Sequence, residues 1–152
     1  MTARDIMTRG VGTCTPNHTL GAAASAMREY DCGFVPVVDP HGAVVGVFTD
    51  RDICNAVATK HRTAEHIAAR HVMAKPVISC LPDAELEDAL GTMAGHHVRR
   101  LPVIDAGGHL HGVLSLDDIV LATELPGGPP SDVVVTALRG ICGPKAGVRE
   151  LA

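Results

Sequence analysis

The sequence predicts an α/β (α+β) fold of two β-α-β-β-α repeats, packed through their sheets with pseudo-twofold symmetry and followed by a C-terminal helix. Three observations predict it. Shifted against itself by 66 residues, the chain aligns Ile6 to Ile53 with Val72 to Ile119 without a gap. In each copy, apolar residues recur at the spacing of one helix face. Each copy then carries two short β-rich runs joined by a cluster of turn residues.

The matched identities run the length of the unit. Met7 falls on Met73, Cys14 on Cys80, Pro16 on Pro82, Pro36 on Pro102, Gly46 on Gly112 and Asp52 on Asp118. Val11 to Cys14 and Val77 to Cys80 are expected to be leading strands. Leu20, Ala23, Ala24 and Met27 define the apolar face of a first helix, as do Leu86, Ala89, Leu90 and Met93. Phe34 to Val38 and Val44 to Phe48 form a hairpin through Asp39-Pro40-His41-Gly42. Leu101 to Ile104 and Leu110 to Leu114 form its counterpart through Asp105-Ala106-Gly107-Gly108, and a second helix starts near Asp50 and near Leu116. A solenoid usually needs more units, so two copies point to a pair whose sheets cover one another in a single cooperative domain.

The pair is expected to occupy residues 1–125, with repeat one at about 6–59 and repeat two at about 72–125. Thr59 to Arg70 is a polar, helix-compatible bridge. Pro126-Gly127-Gly128-Pro129-Pro130 ends the last repeat helix, and residues 126–142 comprise this linker and a final helix. That helix fits Ser131 to Cys142, with Ser131 as N-cap and Val134, Leu138 and Ile141 on one face. The face must be covered by its own domain or by another subunit. The tail, 143–152, is expected to be loose.

With 152 residues, 46% of them hydrophobic, the chain is long enough to bury a core without disulfides. It has one Tyr, two Phe and no Trp, so that core is built from Val, Leu, Ile, Ala and Met, and aromatic platforms for single-stranded nucleic acid are scarce. A net charge of −4 and the absence of long Lys/Arg runs argue against binding a phosphate backbone. There is no signal-peptide pattern, and no segment approaches the ~20 apolar residues that span a bilayer. A cytoplasmic location is expected, with neither nucleic acid nor membrane as partner. The five cysteines are odd in number and form no Cys-x-x-Cys pair, which suggests neither a disulfide framework nor a zinc ribbon.

The most informative segment is Gly46-Val47-Phe48-Thr49-Asp50-Arg51-Asp52, matched by Gly112-Val113-Leu114-Ser115-Leu116-Asp117-Asp118. Each has a strand glycine, a hydroxyl three residues on and a carboxylate three further. A hydroxyl at a helix start can meet a phosphate, where free N–H groups and the helix dipole favour an anion. An Asp one turn later can accept hydrogen bonds from ribose hydroxyls. The same pattern is a capping box, hydroxyl at N-cap and acid at N3, which needs no ligand. On these residues alone both readings stand.

This glycine, hydroxyl and acid motif, placed after a Pro-Val-x-Asp strand in both copies, resembles the CBS (cystathionine β-synthase) domain family over nearly the whole chain. The resemblance implies two repeats packed through their sheets with two clefts between them. It also implies an adenosine ligand of the AMP, ATP, NAD or S-adenosylmethionine class, with Thr49, Asp52, Ser115 and Asp118 contacting phosphate and ribose. Val98-Arg99-Arg100-Leu101-Pro102 is similar to family members whose basic residues grip phosphate, whereas repeat one has Cys32-Gly33-Phe34-Val35-Pro36, so the clefts are not equivalent. Adjacent strand residues face opposite ways, so one of Arg99 and Arg100 is expected to line a cleft. Val11, Thr13, Val35, Val77, Ser79 and Leu101 resemble adenine-slot positions, although apolar residues at strand spacing are equally core positions. A homodimer follows from the resemblance and from apolar helix faces that a small domain leaves uncovered.

His109 and His111 share a strand face and His96-His97 is near in sequence, but no third or fourth ligand completes a zinc set, and they read as surface residues. Cys14 and Cys80 read as small buried hydrophobes. Some small proteins of the family carry a disulfide, and nothing here identifies a partner for either thiol. No nucleophile elbow, P-loop or dinucleotide fingerprint occurs, so no enzyme and no required cofactor is indicated. The repeats fill the chain, leaving no room for a regulated enzyme or channel, so the expectation is a regulatory module acting on a separate partner. The rivals are an interaction protein without nucleotide and a thiol or metal stress sensor.

Overall fold

The computed structural model describes residues 1–145. Its elements are α1 (Ala3–Ile6), α2 (Leu20–Glu29), β1 (Phe34–Val38), β2 (Val44–Thr49), α3 (Asp50–Lys60), α4 (Leu86–His96), β3 (Arg100–Ile104), β4 (Leu110–Ser115), α5 (Leu116–Ala122) and α6 (Ser131–Cys142). The helical bridge expected between the repeats is instead the end of α3 and two 3-10 turns, Ala64–His66 and Ala69–His71.

Each repeat centres on an antiparallel hairpin, β1 with β2 and β3 with β4. The registers match: Val35 opposes Phe48 as Leu101 opposes Leu114, and both slip before the turn, between Val37 and Val38 and between Val103 and Ile104. In each turn an Asp side chain holds the loop. Asp39 Oδ1 accepts from the His41 and Ala43 amides at 2.8 and 3.0 Å, and Asp105 Oδ1 from the Gly107 and His109 amides at 2.9 Å. Gly42 and Gly108 sit at φ of +85° and +84°, where a side chain would be strained. The two turns touch, and the Val44 amide donates to the Gly108 carbonyl at 2.9 Å.

The leading strands are reduced to single parallel bridges, Cys14 with Val37 and Cys80 with Val103. Proline explains this. The Cys14 amide donates to Pro36 and its carbonyl accepts from Val38, but the next ladder donors in either direction would be Pro36 and Pro16, which have no N–H. Pro102 and Pro82 truncate the second copy in the same way.

The segment before each repeat crosses to the other. Residues 1–8 lie on repeat two: the Ala3 amide donates to the Ala84 carbonyl at 2.8 Å, and Thr8 bridges to Val113 of β4. The symmetry mates, 67–74, lie on repeat one, where the Ala69 amide donates to the His18 carbonyl at 2.8 Å and Ala74 bridges to Val47 of β2. Ala3 and Met7 are accordingly buried in the repeat-two core, while Ala69 is buried and Met73 packed in the repeat-one core. Full burial of a Met-sized side chain contributes about 1.5–3 kcal/mol. The strand glycines admit these arms. A Cβ on Gly46 would stand 2.5 Å from Met73 Sδ, and one on Gly112 would stand 2.5 Å from the Thr8 carbonyl oxygen.

The last helix buries its face within its own domain. Val134, Ala137 and Ile141 join the repeat-two core with Leu138 packed beside it, and Gly140 lets α6 approach α4, where a Cβ would stand 3.0 Å from that of Ala94. Pro130 occupies the N-cap position expected for Ser131, which is the first helical residue and makes no capping hydrogen bond. Of the tail expected to be loose, 146–152 lies outside the described residues.

Candidate functional site

Both hydroxyl–acid pairs form closed capping boxes. Asp118 Oδ2 accepts from the Ser115 amide at 2.8 Å and from its hydroxyl at 2.6 Å, while Ser115 Oγ accepts from the Asp118 amide at 3.1 Å. Asp52 Oδ2 accepts from the Thr49 amide and hydroxyl at 2.8 and 3.1 Å. Every bond that the two carboxylates accept falls on Oδ2. Oδ1 of each carboxylate is left without a protein partner among the described residues, so closing the cap leaves acceptor capacity for a ligand. All four residues are half-buried.

Ser115 and Asp118 form one wall of a cleft of about 390 Å³, together with Val113 and Arg100. Repeat one contributes Tyr30, Asp31 and Cys32, which follow α2, and Phe34 at the start of β1. The loop Thr8–Gly12, which emerges from the arm laid on β4, completes the lining. Phe34 and Arg100 are mates at the 66-residue offset, and both line this cleft, which places it beside the pseudo-twofold. Arg9, Arg100, Asp31 and Asp118 all line the cavity, and the Arg9 guanidinium also donates to the Arg4 carbonyl at 3.3 Å. It offers charge-assisted bonds to an anion and acceptors for hydroxyls in one space.

Of the residues expected to bind nucleotide, Ser115, Asp118, Arg100 and Val11 come together here. Arg99, in the bend before β3, is exposed and outside the lining, with its guanidinium 3.8 Å from Cys142 Sγ. Thr49 and Asp52 stand at the matching edge of repeat one and do not line this cleft. Of the expected adenine slot, Thr13 is exposed and Val77 and Ser79 half-buried, all outside the lining. Val35 and Leu101 are 0% exposed in the two hairpin cores and are likewise outside the lining.

Sequence reasoning missed Arg9, Tyr30, Asp31 and Cys32. They lie in connections without periodicity: Arg9 adjoins the crossing arm, and the other three follow α2. A usable signal was present for Phe34, the mate of Arg100.

A second, shallower depression of about 440 Å³ contains Arg4, Asp83, Asp105 and His111. His109 Nδ1 and His111 Nε2 lie 3.3 and 3.2 Å from the two Asp105 oxygens. Backbone hydrogen bonding from His109, then the His111 side chain, hold the Asp105 carboxyl down at about 2. No group of three or more His, Cys, Asp or Glu gathers into a metal-holding cluster among the described residues. All five cysteines are free; burial pushes the Cys14 thiol up and that of Cys80 up to about 11.

A model of the CBS domain matches residues 3–59 and 69–124, the two copies seen at the 66-residue offset. The chain belongs to the CBS domain family. This CBS pair is 37% identical over 118 residues to the CBS domain-containing protein YhcV of Bacillus subtilis (strain 168), a match covering 78% of this chain and 82% of that one. It is 35% identical over 146 residues to hypoxic response protein 1 of Mycobacterium tuberculosis (strain ATCC 25618 / H37Rv), covering 95% and 96%. Among solved structures, it is similar to Hypoxic Response Protein I with two coordinated zinc ions (TM-score 0.74, 33% identity, 83% of this chain and 100% of that one). It is also similar to the CBS domain pair of protein MJ0100 in complex with 5-methylthioadenosine and S-adenosyl-L-methionine (TM-score 0.71, 26% identity, 80% and 94%). No helix among the described residues of this CBS pair is long and apolar enough to cross a membrane.

Proposed function

We propose that this CBS pair is a non-catalytic, cytoplasmic regulatory module that binds an adenosine-containing ligand of the AMP, ATP, NAD or S-adenosylmethionine class. The ligand occupies the cleft between the repeats, and the module reports occupancy to a separate protein partner. One observation carries the reading: Ser115, Asp118 and Arg100 meet in a single cavity, with Asp118 Oδ1 unused by the cap. In this reading Asp118 accepts from the ribose hydroxyls, Arg100 and Arg9 contact phosphate, and Thr49 and Asp52 serve the matching cleft of repeat one. The adenosine ligands of the similar MJ0100 pair support the ligand class. Because both repeats wall the cleft, a bound ligand bridges them and changes their relative freedom, which a partner can sense. Val120, Leu121, Leu125 and Val135 remain exposed on α5, its following turn and α6, and support a homodimer through this region. Equilibrium dialysis against the four ligands tests the proposal; no retention at millimolar concentration would sink it.

A metal-sensing reading draws on the zinc ions of the similar Hypoxic Response Protein I structure. In this chain the nearest counterpart is the pair of histidines on Asp105. Metal analysis after dialysis against zinc decides it, with stoichiometric retention favouring the sensor.

A further inference from the structure

We infer that Tyr30 is the platform on which the base of the cleft's ligand stacks, with Gly12 as the backbone support that fixes the ring. This deepens the adenosine-ligand reading and rests on it. The chain has three aromatic side chains, Tyr30, Phe34 and Phe48. Phe48 is 0% exposed and belongs to the repeat-one core, whereas the other two line the cleft. Phe34 is only 9% exposed, whereas Tyr30 is 50% exposed and large, in a cavity also lined by charged residues.

The ring is held from one side. A Cβ built on Gly12 would stand 2.7 Å from Tyr30 Cδ2, 3.1 Å from Cε2 and 3.2 Å from Cγ. Those near-equal distances to the two flanking carbons are those of a point over the ring face; a point beyond its edge would be farther from both. Gly12 is buried with no positive φ, so the space, and not the backbone conformation, excludes a side chain there. One face of Tyr30 is thus seated on main chain, while the residue as a whole is half exposed and lines the cleft. A planar base laid on the open face gains stacking without ordering a mobile ring, because the ring is already placed. From there the ribose and phosphate of the same ligand extend toward Asp118, Arg9 and Arg100, which line the same cavity.

The chain supplies its own reporter. With one Tyr and no Trp, intrinsic fluorescence under tyrosine excitation comes from Tyr30 alone. Whichever of AMP, ATP, NAD and S-adenosylmethionine is retained in dialysis is titrated into the protein, with free N-acetyltyrosinamide correcting for absorption by the base. Quenching that saturates with the dissociation constant measured by dialysis is expected. Tyr30→Ala should weaken that ligand by about 5- to 150-fold, the range set by loss of one base–aromatic stack. Tyr30→Phe should stay within about threefold of wild type, and Gly12→Ala, which dislodges the ring without removing it, should weaken binding as well. Ribose 5-phosphate, which has no base, should be retained equally by wild type and Tyr30→Ala. If wild type and Tyr30→Ala retain the nucleotide equally, the stacking assignment is wrong while the cleft reading survives. If wild type retains none of the four ligands, the cleft reading fails and the stack with it.

Discussion

Replacing Asp118 by Asn separates the cap from the ligand, because the two roles fall on different oxygens. The cap uses Oδ2, at 2.8 and 2.6 Å from Ser115, and leaves Oδ1 of this cleft-lining residue without a protein partner among the described residues. An N3 acid contributes about 0.5–1 kcal/mol to folding. Asn retains one acceptor oxygen for that purpose, so the ligand-free variant should melt within a few degrees of wild type. A carboxylate accepting ribose hydroxyls contributes about 2–3 kcal/mol to binding, roughly 30- to 150-fold. Ligand at ~100 times its dissociation constant stabilises wild type by about 2.7 kcal/mol, a shift on the order of 5–10 °C for a chain of this size. After a ~100-fold loss of affinity the same concentration stabilises by only about 0.4 kcal/mol, on the order of 1–2 °C. Thermal melts followed by circular dichroism, with and without the retained nucleotide, read the difference. Asp52→Asn lies outside this cleft and should keep most of the shift. If Asp118→Asn keeps the full shift, the motif is a cap alone and the assignment of Ser115 and Asp118 to ligand is wrong.

Arg100→Ala should weaken a phosphate-bearing ligand by tenfold or more through loss of a charge-assisted contact, on the order of 1.4 kcal/mol, while Arg99→Ala leaves dialysis retention unchanged. Gly112→Ala drives a Cβ to 2.5 Å from the Thr8 carbonyl and should destabilise by about 1–3 kcal/mol in urea titration; Gly46→Ala meets the flexible Met73 side chain and should be milder. Asp105 has its carboxyl lowered from 3.8 to about 2. Its contribution is therefore fully present above pH about 4 and lost as pH falls from there to about 2, so Asp105→Asn should flatten the dependence of Tm on pH across that window. In native protein, the exposed Cys54 and Cys142 should react with a thiol reagent first and Cys32 more slowly, while Cys14 and Cys80 should react only on unfolding. Fast modification of either buried thiol would revive the redox-sensor alternative.

The repeat, the hairpins, their turn residues and the helices were legible because each is local: alternation, helical spacing and an Asp-to-Gly turn all act within a few residues. The leading strands were overestimated because β-propensity does not count ladder donors, and Pro16 with Pro36 removes two of them. The crossing of the arms has no local signature beyond the paired glycines Gly46 and Gly112, which mark a close approach without saying what approaches. Half of the cleft followed the same pattern. Ser115, Asp118 and Arg100 sit on repeated elements and could be found from them, whereas Arg9 reaches the cavity because the arm before it packs on repeat two, and Tyr30 lies in the aperiodic connection after α2. For Val35 and Leu101, strand spacing fixes which side chains share a face but not which face a helix covers, and both lie in the hairpin cores.

The arm crossing has the connectivity of a swapped dimer whose two protomers have been joined into one chain. In an unfused pair, dilution would pull the halves apart; here the short bridge after α3 replaces molar concentration with a local one set by its length. Each half closes the interior of the other, so sequence position and site of damage are displaced from one another. A lesion at Ala3 or Met7 opens repeat two, and one at Ala69 opens repeat one. Selection on either cleft therefore reaches residues that lie in the opposite half of the gene.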